Sequence, residues 1–349
     1  MSADPGTPNL GEVRAAHRLD EAALDRWLAV NVEGYHGPLS VSQFKGGASN
    51  PTYLLSAGEA RYVLRKKPPG LLLASAHQVD REYRVMKALG DVGFPVPRMR
   101  ALCQDDAVIG TSFYVMDFLE GRIFRDARLP GLEPAKRTAI YDELNAVLAR
   151  LHAIDPVAVG LGDYGRPGNY FERQIGRFIK QYRGAETEVI PAMEALIAQL
   201  PGRIPAEGPV TIAHGDYRLE NVMFHPTEPR IIAVLDWELS TLGNPLADLA
   251  YTCILWHSRS ESWGTLDGTD LAALGIPTEE QHVAAYCRRA GRAGIEDFPF
   301  YLAFSLFRLA SISQGVFKRN LDGIGTSDPS TDNSGARILA DTALAVLNR

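Results

Sequence analysis

His214-Gly215-Asp216-Tyr217-Arg218-Leu219-Glu220-Asn221 is the most informative stretch of this 349-residue chain. It stands between Thr211-Ile212-Ala213 and Val222-Met223-Phe224, two short apolar pieces that read as strands. Fifteen residues beyond Asn221 comes Leu235-Asp236-Trp237-Glu238, behind the apolar run Ile231 to Leu235. These residue types in this order suit phosphoryl transfer. A carboxylate beside an acceptor hydroxyl orients it and takes its proton, which is the task expected of Asp216. Magnesium is a hard ion that takes few oxygen ligands from the protein and the rest from phosphates and water. Asn221 and Asp236 supply such a pair. Arg218, two residues after Asp216, falls where a cation stabilises charge on the transferring group.

The skeleton H-x-D-x-x-x-x-N has the spacing of a kinase catalytic loop. Together with Ala233 to Tyr251 (AVLDWELSTLGNPLADLAY) it resembles the aminoglycoside-phosphotransferase-like family of small-molecule kinases. The resemblance covers roughly residues 40 to 320. It implies an α+β, two-lobed protein-kinase-like fold, with a small antiparallel β-rich N-lobe and a larger helical C-lobe. It makes Asp248 a brace whose buried carboxylate accepts backbone N–H bonds from the catalytic loop. A plain carboxylate at a helix N-terminus is the other reading of that residue. His214 is expected to pack under the loop. Family members often carry Asp where this chain has Asn244, a mild departure.

Upstream, Phe44-Lys45-Gly46-Gly47-Ala48-Ser49-Asn50 lies between strand-like pieces. Gly46 and Gly47 would let the backbone approach phosphates, with Ser49 and Asn50 as further donors; a plain Gly-Gly hairpin turn explains the same residues. In Tyr62-Val63-Leu64-Arg65, strand alternation puts Val63 and Arg65 on one face. Arg65 would then hold the α- and β-phosphates of ATP, with Glu82 as its helix partner. Protein kinases use lysine at this place, and related small-molecule kinases often use arginine. Lys66 and Lys67 are adjacent, so the register matters. By similarity to the family, Phe113 to Gly121 resembles the hinge between the lobes. Met116 would sit behind the adenine, while the Asp117 carbonyl and the Leu119 amide would read its edge.

The coarse pattern agrees. Residues 1–18 read as a loose tail, 19–119 as a β-rich nucleotide-binding lobe with helices at 19–32 and 77–89, and 120–349 as a helical lobe. In the latter, helices are expected at 136–152, 169–183, 189–200, 246–258, 278–293, 298–317 and 335–348. Gly160-Leu161-Gly162-Asp163-Tyr164-Gly165 matches G-x-G-x-x-G literally. It lacks the preceding strand and following helix of a dinucleotide site. No P-loop motif occurs.

Hydrophobic residues make up 46% of the chain and charged ones 22%, the balance of a globular protein, and the net charge of −6 points to no nucleic-acid or anionic-membrane partner. Three dispersed cysteines fit a reducing cytoplasm and no disulfide framework. The N-terminus carries no apolar segment, so neither a signal peptide nor an anchor is expected. No uninterrupted apolar run approaches the roughly 18 residues of a membrane span.

The acceptor is the open question. Aminoglycosides are polycations and call for an acidic cleft. This chain instead places Arg173, Arg177 and Lys180 at helical spacing, and Arg308 in a later helix. They are either a solvated face or a surface for an anionic acceptor. The segments Tyr170–Tyr182 and Phe304–Arg319 are similar to the family branch that includes the kinase-like domain fused to some acyl-CoA dehydrogenases. That resemblance implies a hydroxylated fatty acid or its acyl-CoA thioester. The expectation is an ATP- and Mg²⁺-dependent kinase of a small molecule, with a nucleotide-binding pseudokinase or an aminoglycoside kinase as alternatives.

Overall fold

The computed structural model describes residues 10–14, 17–45, 50–67, 79–166, 168–257, 265–323 and 333–349. The chain forms two compact units. One contains residues up to Ile123 together with Val159–Leu161 and Asn221–Leu239. The other contains Phe124–Ala158, Gly162–Glu220 and Ser240–Arg349.

The first unit is built on an antiparallel sheet. Its strands are β1 (Leu10–Gly11), β2 (Leu39–Phe44), β3 (Thr52–Ala57), β4 (Ala60–Lys66), β5 (Met99–Cys103) and β6 (Phe113–Asp117). Among the described residues these six run in the order β1-β2-β3-β4-β6-β5. Alternation along β3, β4 and β6 sends Tyr53, Leu55, Tyr62, Leu64, Phe113 and Val115 into one apolar cluster. Helix α1 (Glu21–Asn31) closes it with Leu24 and Leu28, and its N-terminus is capped by the Asp20 carboxylate, which accepts from the Ala23 N–H. Helix α2 (Val79–Asp91) buries Val79, Glu82, Val85, Met86 and Leu89, so a carboxylate shares its apolar stripe. A short helix α3 (Asp106–Ile109) precedes β6. The hairpin β8 (Val222–Phe224) and β9 (Ile231–Val234) completes this unit.

The described part of residues 1–18 is not a loose tail. Leu10 and Gly11 pair with Phe44 and Gln43. The Arg14 N–H donates to Gln43 Oε1, and the Tyr53 hydroxyl donates to the His17 carbonyl. The edge of β2 offers unpaired backbone groups, and the incoming chain satisfies them.

The second unit is helical: α4 (Pro134–His152), α5 (Tyr170–Ala185), α6 (Pro191–Gln199), α7 (Pro245–Cys253), α8 (Leu271–Leu274), α9 (Glu279–Arg289), α10 (Phe298–Leu321) and α11 (Ser334–Leu347). The strand pair β7 (Thr211–Ala213) and β10 (Thr241–Gly243) lies within it. Helix α5 is amphipathic, with Phe171, Ile175, Phe178 and Tyr182 on one buried stripe. Helix α10 is buried all round from Phe300 to Ser311, which marks it as the central helix of the unit. Despite the lack of an uninterrupted apolar run, its length and composition would allow it to cross a membrane, but most of it is inside this unit. The G-x-G-x-x-G segment falls in turns between α4 and α5, without the strand-turn-helix frame.

One core residue of α9 carries a pH effect. His282 is fully enclosed, with its Nε2 hydrogen-bonded to Thr252 Oγ1 at 3.2 Å, and burial pushes its pKa down to about 4. The unfolded chain protonates this imidazole below about pH 6.5, while the folded protein refuses the proton until much lower pH. Stability from this group is therefore full at neutral pH and declines as pH falls between those limits, by about 3 kcal/mol in all. Urea unfolding across that window should show a flatter acid limb in His282→Gln than in the parent. Equal slopes would refute this assignment.

Candidate active site

In the first unit, β4 carries Arg65 on the side of α2 and sends Lys66 the other way, where its ammonium lies 5.8 Å from the Tyr53 ring centroid. Arg65 Nε stands 3.4 Å from Glu82 Oε2. Arg65 Nη2 donates to Asp236 Oδ1 at 2.9 Å and to Glu238 Oε2 at 3.3 Å. Burial alone would weaken the Arg65 charge, but Glu82 first, then Tyr114, Asp236 and Glu238, hold it firmly protonated. Burial pushes the Glu82 carboxyl up, against the pull of Arg65 and the Tyr114 hydroxyl. The Tyr114 hydroxyl donates to Glu82 Oε2 at 3.0 Å.

Asn50, expected at the phosphates, is buried and donates its amide to Glu82 Oε1 at 2.9 Å. That donor is spent on holding the glutamate, because a buried carboxylate needs every partner within reach. The glycine-rich residues Gly46, Gly47 and Ser49 lie outside the described residues.

Asn221 and Asp236 are brought together by the β8–β9 hairpin, in which Val222 pairs with Val234 and the Leu235 N–H donates to the Asn221 carbonyl at 2.8 Å. Asp236 has φ +63°, a left-handed conformation that costs a non-glycine residue roughly 1 kcal/mol or more. Its side chain is 36% exposed while that of Arg65 is 14%, so Asp236 is the member of the cluster open to an incoming ligand. Among the described residues, no group of three or more His, Cys, Asp or Glu gathers as a self-sufficient metal site. Two hard oxygen donors, that of Asp236 partly exposed, fit magnesium better than an ion that demands a full protein shell.

At the end of β6, Met116 and Leu119 are half-buried, and the Asp117 carboxylate is forked by Arg100 at 2.5 and 3.0 Å. The Asp117 side chain is thereby occupied, and only its backbone remains for recognition.

In the second unit the loop after β7 is held by Asp248 of α7. The fully buried carboxylate accepts from the His214 N–H at 2.6 Å and the Gly215 N–H at 2.8 Å. His152 Nε2 lies 3.3 Å from the same group, and His152 Nδ1 is hydrogen-bonded to the Tyr286 hydroxyl at 2.7 Å. Burial would raise the Asp248 pKa, but His152, His214 and the Gly215 N–H together bring it below the usual range. Gly215 has φ +83°, which lets the chain turn so that both amides meet one carboxylate. Asn244 caps α7, its Oδ1 accepting from the Leu246 N–H at 2.9 Å.

The Asp216 carboxylate lies 3.5 Å from Arg218 Nε and is hydrogen-bonded by the Tyr251 hydroxyl. Arg218 also reaches Glu220 at 3.0 Å. Arg218, Leu219, Glu220, Tyr251, Ile254 and Leu255 line a small cavity. The four cations expected to bind substrate differ in setting. Arg308 is buried, Arg173 donates to the Arg166 carbonyl at 2.7 Å, and Arg177 and Lys180 are exposed.

A model of the phosphotransferase enzyme family matches residues 40–286. The chain belongs to the phosphotransferase enzyme family. It is 47% identical to acyl-CoA dehydrogenase family member 10 of Mus musculus over 92% of its own length, but spans only 30% of that protein. It is 43% identical to acyl-CoA dehydrogenase family member 11 of Homo sapiens, over 93% of its length and 42% of the relative's. A crystal structure of a candidate aminoglycoside phosphotransferase from Ralstonia eutropha is 50% identical, with a TM-score of 0.87 over 95% of this chain and 99% of that one. Choline kinase of Cryptosporidium parvum shares the fold at 14% identity, with a TM-score of 0.64 over 94% of this chain and 96% of that one.

Sequence reasoning missed Tyr114, Glu238, His152, Tyr286 and Tyr251. Glu238 had a usable signal, two residues beyond Asp236. The others announce themselves only as ordinary core positions on helices and strands.

Proposed function

We propose that this phosphotransferase-family chain transfers the γ-phosphoryl group of ATP to a hydroxyl of a small molecule. The observation that carries this reading is the linked set of Arg65, Glu82 and Asp236 beside Asn221, continuous in sequence with the Asp216 loop. Arg65 would hold nucleotide phosphates, with Glu82 fixing its orientation. Asn221 and Asp236 would hold Mg²⁺, which supplies charge neutralisation at the phosphate oxygens. Asp216 would accept the proton of the acceptor hydroxyl as its oxygen attacks the phosphorus and the bond to ADP breaks. Tyr251 and Arg218 keep that carboxylate in place. The relatives named as acyl-CoA dehydrogenase family members support a hydroxy acid or hydroxyacyl thioester as acceptor.

Calorimetric titration with AMP-PNP, with and without Mg²⁺, tests the nucleotide side. Asp236→Ala should abolish the magnesium dependence, and Arg65→Ala should weaken binding by about ten- to a hundred-fold, the worth of a charged hydrogen-bond set. Unchanged affinity and metal dependence in both variants would sink the reading. ADP release across a library of hydroxylated metabolites then identifies the acceptor.

A further inference from the structure

Three arginines gather around one aromatic patch of the helical unit. Tyr170, Arg173 and Arg177 lie on one side of α5, at helical spacing. The guanidinium groups of Arg177 and of Arg308, from α10, lie 5.5 and 5.6 Å from the centroid of the same Phe178 ring. Although Arg177 is exposed as a residue, packing around its guanidinium and then Arg308 disfavour its charge. Tyr170 is shaped chiefly by burial and then by Arg308, Asp248, Arg177 and Arg173, and stays protonated with its pKa pushed up to about 12. Its hydroxyl is a donor near neutrality.

Arg308 also lies 5.2 Å from the centroid of the Tyr251 ring, whose hydroxyl is hydrogen-bonded to the Asp216 carboxylate. Among the described residues, neither Arg177 nor Arg308 forms an ion pair, whereas Arg183 of the same helix is held by Glu186 and Glu194. Asp248, the acid that Tyr170 senses, is already committed to the His214 and Gly215 amides. Arg308 is 6% exposed, and its Nη2 donates to the Gly215 carbonyl. Its Nε is buried with no hydrogen-bond partner. A desolvated guanidinium with an idle donor, next to a second unpaired guanidinium, is a costly arrangement for a protein to keep without a ligand. A bound anion offsets both the repulsion and the missing hydrogen bond.

We propose that Arg177 and Arg308, flanked by the Tyr170 hydroxyl, form an anion site that takes a carboxylate or phosphate of the acceptor. The assignment of this anion to the acceptor rests on the reading of the Asp216 loop as the phosphoryl-transfer site. Arg308 links the two, because the carbonyl it holds belongs to the residue before Asp216. An acceptor tethered there must carry an anionic group besides its hydroxyl. A polycation such as an aminoglycoside would meet like charge instead.

The test is titration of the full chain with inorganic phosphate and, separately, with acetate, each with and without saturating Mg²⁺–AMP-PNP. Saturable binding of at least one anion is expected, and it should persist when the nucleotide analogue is present. Arg177→Gln should weaken it by about ten-fold or more, the loss of a charge-assisted pair. Arg308→Lys, which keeps the charge but loses the planar fork, should weaken it as well. Which anion binds tells a carboxylate site from a phosphate site. Absence of saturable binding in the parent, or equal affinity in Arg177→Gln, overturns the proposal. Failure of AMP-PNP to bind while the Arg177-dependent anion site persists would strike the kinase reading and leave this site standing.

Discussion

Asp216→Asn should cut turnover by about 10²–10⁴-fold, the usual worth of a positioned general base, while changing nucleotide affinity only a few-fold. The amide keeps the size of the side chain and can still accept from the Tyr251 hydroxyl, so the loop should retain its shape. It cannot accept the acceptor's proton. The nucleotide should not register the change, because the cluster assigned to phosphates and metal is built by Arg65, Glu82 and Asp236. Steady-state kinetics on the identified acceptor, with AMP-PNP calorimetry alongside, separates the two effects. Nucleotide affinity falling in step with turnover would remove Asp216 from this role.

Asp248→Ala should destabilise the protein by about 3–5 kcal/mol, among the largest effects expected of any single substitution here. The carboxylate is wholly buried and satisfies two backbone amides and one face of His152. Removing it leaves the His214 and Gly215 donors without partners in a place water does not reach. Asp248→Asn keeps a carbonyl oxygen for one amide, so its cost should be intermediate. Urea unfolding of the three proteins checks the order; a loss below about 1 kcal/mol in Asp248→Ala would show that the loop is braced elsewhere. Variants that still fold should also lose turnover, because the amides that Asp248 fixes immediately precede Asp216.

The contrast between Asn50 and Arg65 shows what local sequence can and cannot say. Arg65 was legible because a strand alternates with period two, and that rule assigns Lys66 to the opposite face without any knowledge of neighbours. The Asn50–Glu82 bond is not legible in the sequence, because Glu82 is 32 residues away on a helix. A polar residue beside glycines serves a phosphate or a buried carboxylate equally well on composition alone. The basic face on α5 shows the same limit. Its spacing is visible in the sequence, but Arg308 turns inward to the Gly215 carbonyl, Arg183 is neutralised by glutamates, and Lys180 remains in solvent.

By itself the sequence determined the longer strand and helix segments (β1, α3 and α8 aside), the family, and the identity of the loop residues Asp216, Asn221 and Asp236. Those depend on short-range periodicity and on spacing within one segment. Only the tertiary structure decided the environment of each group: Tyr114 and Asn50 on Glu82, His152 and Tyr286 behind Asp248, Tyr251 on Asp216, and Arg177 and Arg308 beside one Phe178 ring. These partners lie tens to more than a hundred residues apart. Their selection follows from which polar groups the packing strips of water together, and that is a property of the folded chain.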